Sequence, residues 1–287
     1  MNIERNIILI FGPTASGKSS LALKLAKENN GVIFNADSMQ IYKELPILSS
    51  QPTSCEQKII PHFLYGFLNY QQDFSVAKWL EIIVPKIKEE IKKGKKCFIV
   101  GGTGLYFSSL YHGINKMPKI SKEIQQEMRD LYEEIGHEKF IKFLKNLGDN
   151  DIKNIDSQRL IRRAEILKTT NKNLTFWQNQ QKDIFFEKDQ MQIIKLLPER
   201  KELYQKCNER FQHIFKNGAI NEVKNLEQLN PDPKNLITKT IGYKEINCYL
   251  NGRLTQEEVL EIVTKKIRNY AKRQITWFKN QFPNNEN

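Results

Sequence analysis

The chain has 287 residues, 39% hydrophobic and 27% charged, which is a soluble globular composition with length enough for a substantial core. Its 45 Lys and Arg outnumber 33 Asp and Glu, giving a net charge of +12; this favours a polyanionic partner such as nucleic acid, or else marks a lysine-rich solvated surface. No apolar run approaches the ~18 residues of a membrane span, and Met1 to Arg5 carry no signal-peptide pattern, so a cytoplasmic protein is expected.

Ile7 to Phe11 is a short apolar run stopped by Gly12-Pro13, the pattern of a buried strand. Ser20 to Glu28 places Leu21, Ala22, Leu25 and Ala26 at helical spacing. Val32 to Ala36 reads as a second strand and His62 to Leu68 as a third. Val76 to Lys92 is helical and ends before Gly94, and Cys97 to Val100 is a fourth strand closed by Gly101-Gly102. Strands alternating with helices predict an α/β fold with a parallel sheet. After Gly113 the character changes: Ser121 to Trp177 is helical and charged, without a convincing strand. Ile193 to Leu197 returns to strand and is ended by Pro198; the remainder is helical, broken at Asn230 to Pro233, with a polar tail from Asn284 to Asn287. The expected organisation is an α/β core from 1–115 and 186–287, interrupted by a helical insertion at 116–185.

The cysteines, Cys55, Cys97, Cys207 and Cys248, form no CxxC pair, and the four histidines show no metal-ligand spacing. The chemistry lies elsewhere. Gly12-Pro13-Thr14-Ala15-Ser16-Gly17-Lys18-Ser19 fits the phosphate-binding P-loop, with a strand before it and a helix after. Its glycines let backbone N–H groups converge on phosphate oxygens, and the helix N-terminus adds partial positive charge. Lys18 supplies a full charge, and the Ser19 hydroxyl is placed to ligate Mg²⁺. A chance match arises in roughly one chain in a hundred of this length. The loop does not name the reaction, because kinases, hydrolases and other diphosphate users share it.

Asn35 to Gln40 follows the second strand, and ligands of open parallel sheets bind beyond the strands' carboxyl ends. Asp37 there suits a metal ligand or a general base; a helix cap is the plainer alternative. Gly101-Gly102-Thr103-Gly104 ends the fourth strand and permits close backbone approach, or simply a tight turn. Arg159, Arg162 and Arg163 fall at helical spacing after Asp156-Ser157, fit either to grip a phosphate or to face solvent. Near the C-terminus Val259, Val263, Ile267, Tyr270, Ala271, Trp277 and Phe278 make one apolar stripe, with Lys265, Arg268, Lys272 and Lys279 opposite. Gln274 falls inside that stripe, where a polar group needs a partner and so is expected to face a site.

In combination these segments resemble the tRNA dimethylallyltransferases, also called tRNA isopentenyltransferases, of the bacterial type. The resemblance is carried by 12–19, 35–42, Gln51-Pro-Thr53, His62, 74–77, 101–106, 158–162, 241–245 and 270–278, in the family's order and over nearly the whole chain. It implies a core like that of the nucleotide kinases with a helical insertion that contacts tRNA. It implies transfer of a dimethylallyl group from dimethylallyl diphosphate to N6 of adenosine-37 beside the tRNA anticodon, with Mg²⁺ as cofactor. By the same resemblance the P-loop residues Gly12 to Ser19 hold the diphosphate, Asp37 is the catalytic base, and Asp37, Ser38, Met39, Gln40, Thr103, Gln158, Arg159, Leu160, Ile161 and Arg162 contact the anticodon loop. A cytoplasmic monomer without the zinc-finger extension of eukaryotic members is expected. Some positions depart from the family pattern: Gln51 replaces a lysine, Phe63 a second histidine, Gly66 an aspartate, and Gln125 sits near a usual arginine. The rival readings are a P-loop kinase using ATP, an isopentenyltransferase of free adenine nucleotides, and a non-catalytic tRNA-binding protein.

Overall fold

The structure, a computed structural model, describes residues 5–152 and 155–282; the start at 1–4 and the polar tail at 284–287 lie outside them. The chain forms two compact units, one built from the chain up to Tyr111 and again from Phe185, the other from His112–Ile184. The insertion expected at 116–185 overlaps the second.

In the first unit β1 (Ile7–Phe11) leads into α1 (Lys18–Glu28), then β2 (Gly31–Asn35), α2 (Ser54–Ile59), β3 (His62–Phe63), α3 (Val76–Lys92), β4 (Lys96–Gly101) and α4 (Gly104–His112). The second unit carries β5 (Ile114–Asn115), α5 (Lys122–Asn146), α6 (Ser157–Thr170), α7 (Leu174–Gln178) and β6 (Lys182–Asp183). The chain then returns with β7 (Met191–Lys195), α8 (Arg200–Ile214), α9 (Ile220–Glu227), α10 (Tyr243–Leu250) and α11 (Gln256–Gln281).

The first unit's sheet is parallel throughout, in the order β3-β2-β4-β1-β7. Every residue of β1 and β2 is buried, as strands covered on both faces must be. Ala22 and Ala26 let α1 lie close on Ile8, Ile10, Ile33 and Phe98. Phe11 stacks on Phe278 of α11 at 4.4 Å between ring centroids, and Trp79 of α3 donates its indole N–H to the Asn35 carbonyl at 2.9 Å. From β1 the chain crosses to β2 on one side; from β4 it eventually reaches β7 on the other. That reversal opens a crevice beyond the carboxyl ends of β1 and β4, the usual ligand position in such sheets.

Two local expectations need correction. The third strand, read over His62 to Leu68, stops at Phe63, because Leu64 and Gly66 take left-handed φ of 66° and 52° and turn the chain; Leu68 keeps only an isolated parallel bridge to Tyr42. The short helix α2 escaped the sequence reading although Thr53 and Glu56 form a complete capping box at its start.

In the second unit α5 bends at Gly136, whose φ is 76°. Leu160, Ala164 and Leu167 of α6 pack on Met128, Phe140 and Leu144 of α5. The two-residue strands β5 and β6 pair antiparallel, Ile114 with Asp183 and Asn115 with Lys182. No sequence pattern marks this ladder, since two residues leave no periodicity. Among the described residues no helix is long and apolar enough to cross a membrane.

Candidate active site

The P-loop spans the turn from β1 to α1. Gly17 begins α1 with a φ of 86°, a conformation that strains any side chain. Ala15 also sits left-handed, at 61°, and such strain concentrates at functional loops. Lys18 donates from Nζ to the Pro13 carbonyl at 2.6 Å. The Ser16 hydroxyl is buried with no hydrogen-bond partner. A buried hydroxyl is costly unless something completes it, and an anion in the loop would do so. Ser19 is exposed in the first turn of α1.

Asp37 follows β2 in a turn that Asn35 organises. The Asn35 amide donates to the carbonyls of Asp37 and Leu64, both at 2.9 Å, and its oxygen accepts the Asp37 N–H at 2.8 Å. Asp37 Oδ1 accepts the Met39 N–H at 2.9 Å, which closes a turn and caps no α-helix. Its Oδ2 faces Gly102, where an added Cβ would stand 3.5 Å away. The loop after β4 supports the same turn: Thr103 Oγ1 accepts the Ser38 N–H at 2.9 Å, and the Thr103 N–H donates to the Ala36 carbonyl at 3.1 Å. Gln40 donates to the carbonyls of Ser49 and Ser50, and Met39 Sδ accepts from the Thr240 hydroxyl at 3.6 Å.

Two further residues, Arg210 outside every motif and Gln274 within the segment 270–278, complete the arrangement. Arg210 of α8 donates from Nε to Ser50 Oγ at 3.1 Å and from a terminal nitrogen to Thr14 Oγ1 at 3.2 Å. It lies on the buried side of α8, which also presents Leu203, Cys207, Phe211 and Ile214. An arginine beside that stripe is the one sequence signal for it, and it names no partner. Gln274 of α11, flagged for the same reason, is 5% exposed and bonds both the P-loop and the Gly102 carbonyl.

These groups line one cavity of about 390 Å³, with Thr14, Lys18, Ser19, Asp37, Ser38, Met39, Gln40, Arg210 and Gln274 on its wall. Leu48, Phe211, Ile214 and Ile267 give the same cavity an apolar side. It therefore offers cations, a carboxylate and an apolar surface within one pocket. Lys18 is part-exposed as a residue, but its ammonium is turned inward. Burial, and then the Arg210 charge, push its pKa down to about 7, with Asp37 working the other way. The protein's own groups thus favour neutral Lys18 above neutral pH, whereas a bound diphosphate would favour its charged form. At about pH 8.5, binding of an alkyl diphosphate is expected to take up about one proton, falling towards none near pH 6. Calorimetry in buffers of different ionisation enthalpy measures this. Uptake that does not change with pH, or that persists in Lys18→Met, would contradict it.

The remaining sequence candidates lie on α6, in the second unit. Asp156 caps that helix by accepting the Arg159 N–H at 3.0 Å. Gln158 and Arg159 are exposed, Ile161 is half-buried, and Arg162 pairs with Glu165 at 3.1 Å. Leu160, expected among the contact residues, is instead fully buried in the helical core, so its side chain holds the helix in place. Arg163, grouped with Arg159 and Arg162 by spacing, is 5% exposed and bonded to the buried carboxylate of Asp149, with Nε 2.6 Å from Oδ2. A buried guanidinium so paired supports the fold and grips no phosphate.

The chain matches the family described as IPP transferase over residues 40–281, and that described as isopentenyl transferase over residues 5–63. It belongs to the IPP transferase family. A tRNA dimethylallyltransferase from Rickettsia bellii is 44% identical over 97% of the chain and 89% of its own length. Another from Rickettsia massiliae is 43% identical over 97% and 77%. Among solved structures, the tRNA isopentenylpyrophosphate transferase from Bacillus halodurans superposes with a TM-score of 0.69 at 31% identity, covering 96% of this chain and 88% of that one. A eukaryotic dimethylallyltransferase acting on tRNA gives 0.79 at 26% identity, covering 95% and 69%. The family's P-loop-like α/β fold is the one seen here.

The four positions expected to depart from the family pattern have defined local contacts. Gln51 and Gly66 are neighbours: an added Cβ on Gly66 would lie 2.8 Å from Gln51 Oε1, and Gln51 donates to the Tyr42 carbonyl at 2.7 Å. Phe63 stacks on Phe34 with centroids 5.0 Å apart, and Gln125 donates to the Ile120 carbonyl at 3.0 Å.

Proposed function

We propose that the chain transfers a dimethylallyl group from dimethylallyl diphosphate to N6 of adenosine-37 in the anticodon loop of tRNA, giving N6-(dimethylallyl)adenosine. The observation that carries this reading is the single cavity in which the P-loop, Lys18 and Arg210 stand with Asp37 and an apolar wall. A kinase needs a phosphate cradle too, but family membership favours the prenyl donor.

The adenine amino group is a weak nucleophile, because its lone pair is delocalised into the ring. Asp37 takes its proton as N6 bonds to the first carbon of the dimethylallyl group. The bond from that carbon to the diphosphate oxygen breaks, and the diphosphate leaves whole. Lys18, Arg210 and the N–H groups of the P-loop stabilise the charge that develops on it. The apolar side, with Leu48, Phe211 and Ile214, receives the prenyl methyls.

Mg²⁺ fits the residues present. Ser19 and Asp37, both oxygen donors, share the cavity wall with Thr14 and Lys18 of the P-loop. Such an ion keeps most of its ligands as water and phosphate oxygens, so Ser19 and the diphosphate would hold it. When bound, it neutralises charge on the leaving group. Asp37 to Gln40, Thr103 and the exposed Gln158 and Arg159 of α6 are the proposed tRNA contacts. The target adenine must unstack to reach Asp37, which a single-stranded loop permits at low cost. One chain suffices for the chemistry, since the P-loop, Asp37, Arg210 and Gln274 all belong to its first unit.

The test is incubation with unmodified tRNA and either labelled dimethylallyl diphosphate or ATP. Prenyl label is expected in tRNA, at the adenosine beside the anticodon, with diphosphate released one for one. Label entering only from ATP, or prenylation of free adenine nucleotides in place of tRNA, would overturn the reading.

A further inference from the structure

The amide of Gln274 bridges the two halves of the cavity. Phe278, one turn further along α11, stacks on Phe11 and anchors that helix over the end of β1. Gln274 is thereby held above the crevice. Its Oε1 accepts the Thr14 N–H of the P-loop at 2.9 Å, and its Nε2 donates to the Gly102 carbonyl at 2.9 Å. Gly102 leaves no room for a side chain, since an added Cβ would collide with the Gln274 amide. Thr103, next in the chain, holds the Asp37–Ser38 turn. One side chain therefore joins the loop proposed to carry the leaving group to the loop that supports the proposed base.

We infer that Gln274 is a positioning residue, which sets the separation between the diphosphate cradle and Asp37 so that N6 and the departing oxygen stay in line across the migrating carbon. The inference rests on the prenyl-transfer reading. In-line displacement is sensitive to this separation, because a misplacement of about 1 Å costs about 100-fold in rate. The two ends of the amide are also chemically distinct: one must accept and the other must donate. A carboxylate of the same shape cannot donate to the Gly102 carbonyl, and a thioether cannot donate and accepts only weakly.

The test uses the full chain with Gln274→Glu and Gln274→Met, and with Gly102→Ala, which keeps Gln274 but displaces its amide. Folding is checked by circular dichroism, and rates are referred to the folded fraction. Two products are counted, prenylated tRNA and free dimethylallyl alcohol. In the side reaction water replaces N6: the carbon–oxygen bond to diphosphate breaks, a carbon–oxygen bond to water forms, and the water loses a proton to solvent. All three variants are expected to lower kcat by about 30-fold or more, to change the KM for dimethylallyl diphosphate by less than about 3-fold, and to raise the ratio of alcohol to prenylated tRNA at least about 10-fold. A purely structural role lowers the folded fraction and leaves that ratio unchanged, and this result would overturn the inference. If the parent protein forms no prenylated tRNA, the functional reading itself fails, and the variants are not needed to see it.

Discussion

Asp37→Ala is expected to slow prenyl transfer by about 1,000-fold, within the range for removal of a positioned general base, while tRNA affinity changes by less than about 3-fold. Alanine also removes the acceptor for the Met39 N–H, so turn and base are lost together. Asp37→Asn separates them. The asparagine oxygen can still accept the Met39 N–H, and Asn35 and Thr103 still hold the backbone on either side, but the amide cannot take the N6 proton. The asparagine variant is therefore expected to be as slow as the alanine one in single-turnover reactions with both substrates saturating. Turnover above about a tenth of the parent rate in Asp37→Asn would show that the carboxylate only shapes the turn.

Arg210→Met is expected to lower kcat/KM for dimethylallyl diphosphate by about 100- to 1,000-fold, the usual cost of losing one fixed donor to a developing anion. Arg210 joins α8 to the P-loop through Thr14 and to the loop at Ser50, so its charge is held beside the proposed leaving-group site. Burial lowers its pKa and Asp37 opposes that, but guanidinium remains charged at any working pH. Arg210→Lys is expected to recover only part of the loss, because one ammonium lacks the fork that reaches Ser50 and Thr14 together. Steady-state kinetics over a range of diphosphate concentrations, with competition by inorganic diphosphate, measure both effects. An unchanged kcat/KM in Arg210→Met would remove Arg210 from the leaving-group site.

Both variants bear on how much of the site could be read from the chain alone. Asp37 was legible because a strand pattern ends just before it, and strand ends face ligands in parallel sheets. Arg210 was not, because α8 carries no motif and the partners of its guanidinium, Thr14 and Ser50, are 196 and 160 residues away. Gln274 lay between these cases. Its place in an apolar stripe showed that a partner was needed, but not that there were two, 260 and 172 residues distant. Arg163 shows the reverse error: spacing grouped it with Arg159 and Arg162, and packing turned it inward onto Asp149.

The sequence by itself determined what depends on neighbouring residues. That covers the P-loop's backbone curl, the buried strands on either side of it, the capped start of α6 and the long amphipathic α11. Hydrophobic period, glycine placement and cap chemistry act within a turn or two, so they are written in consecutive residues. Tertiary structure alone decided which distant side chains meet. The order β3-β2-β4-β1-β7 brings the ends of β1, β2 and β4 together, and α8 and α11 then lower Arg210 and Gln274 onto them. It also lowered the pKa of Lys18, since burial and the nearness of Arg210 exist only once those elements have packed.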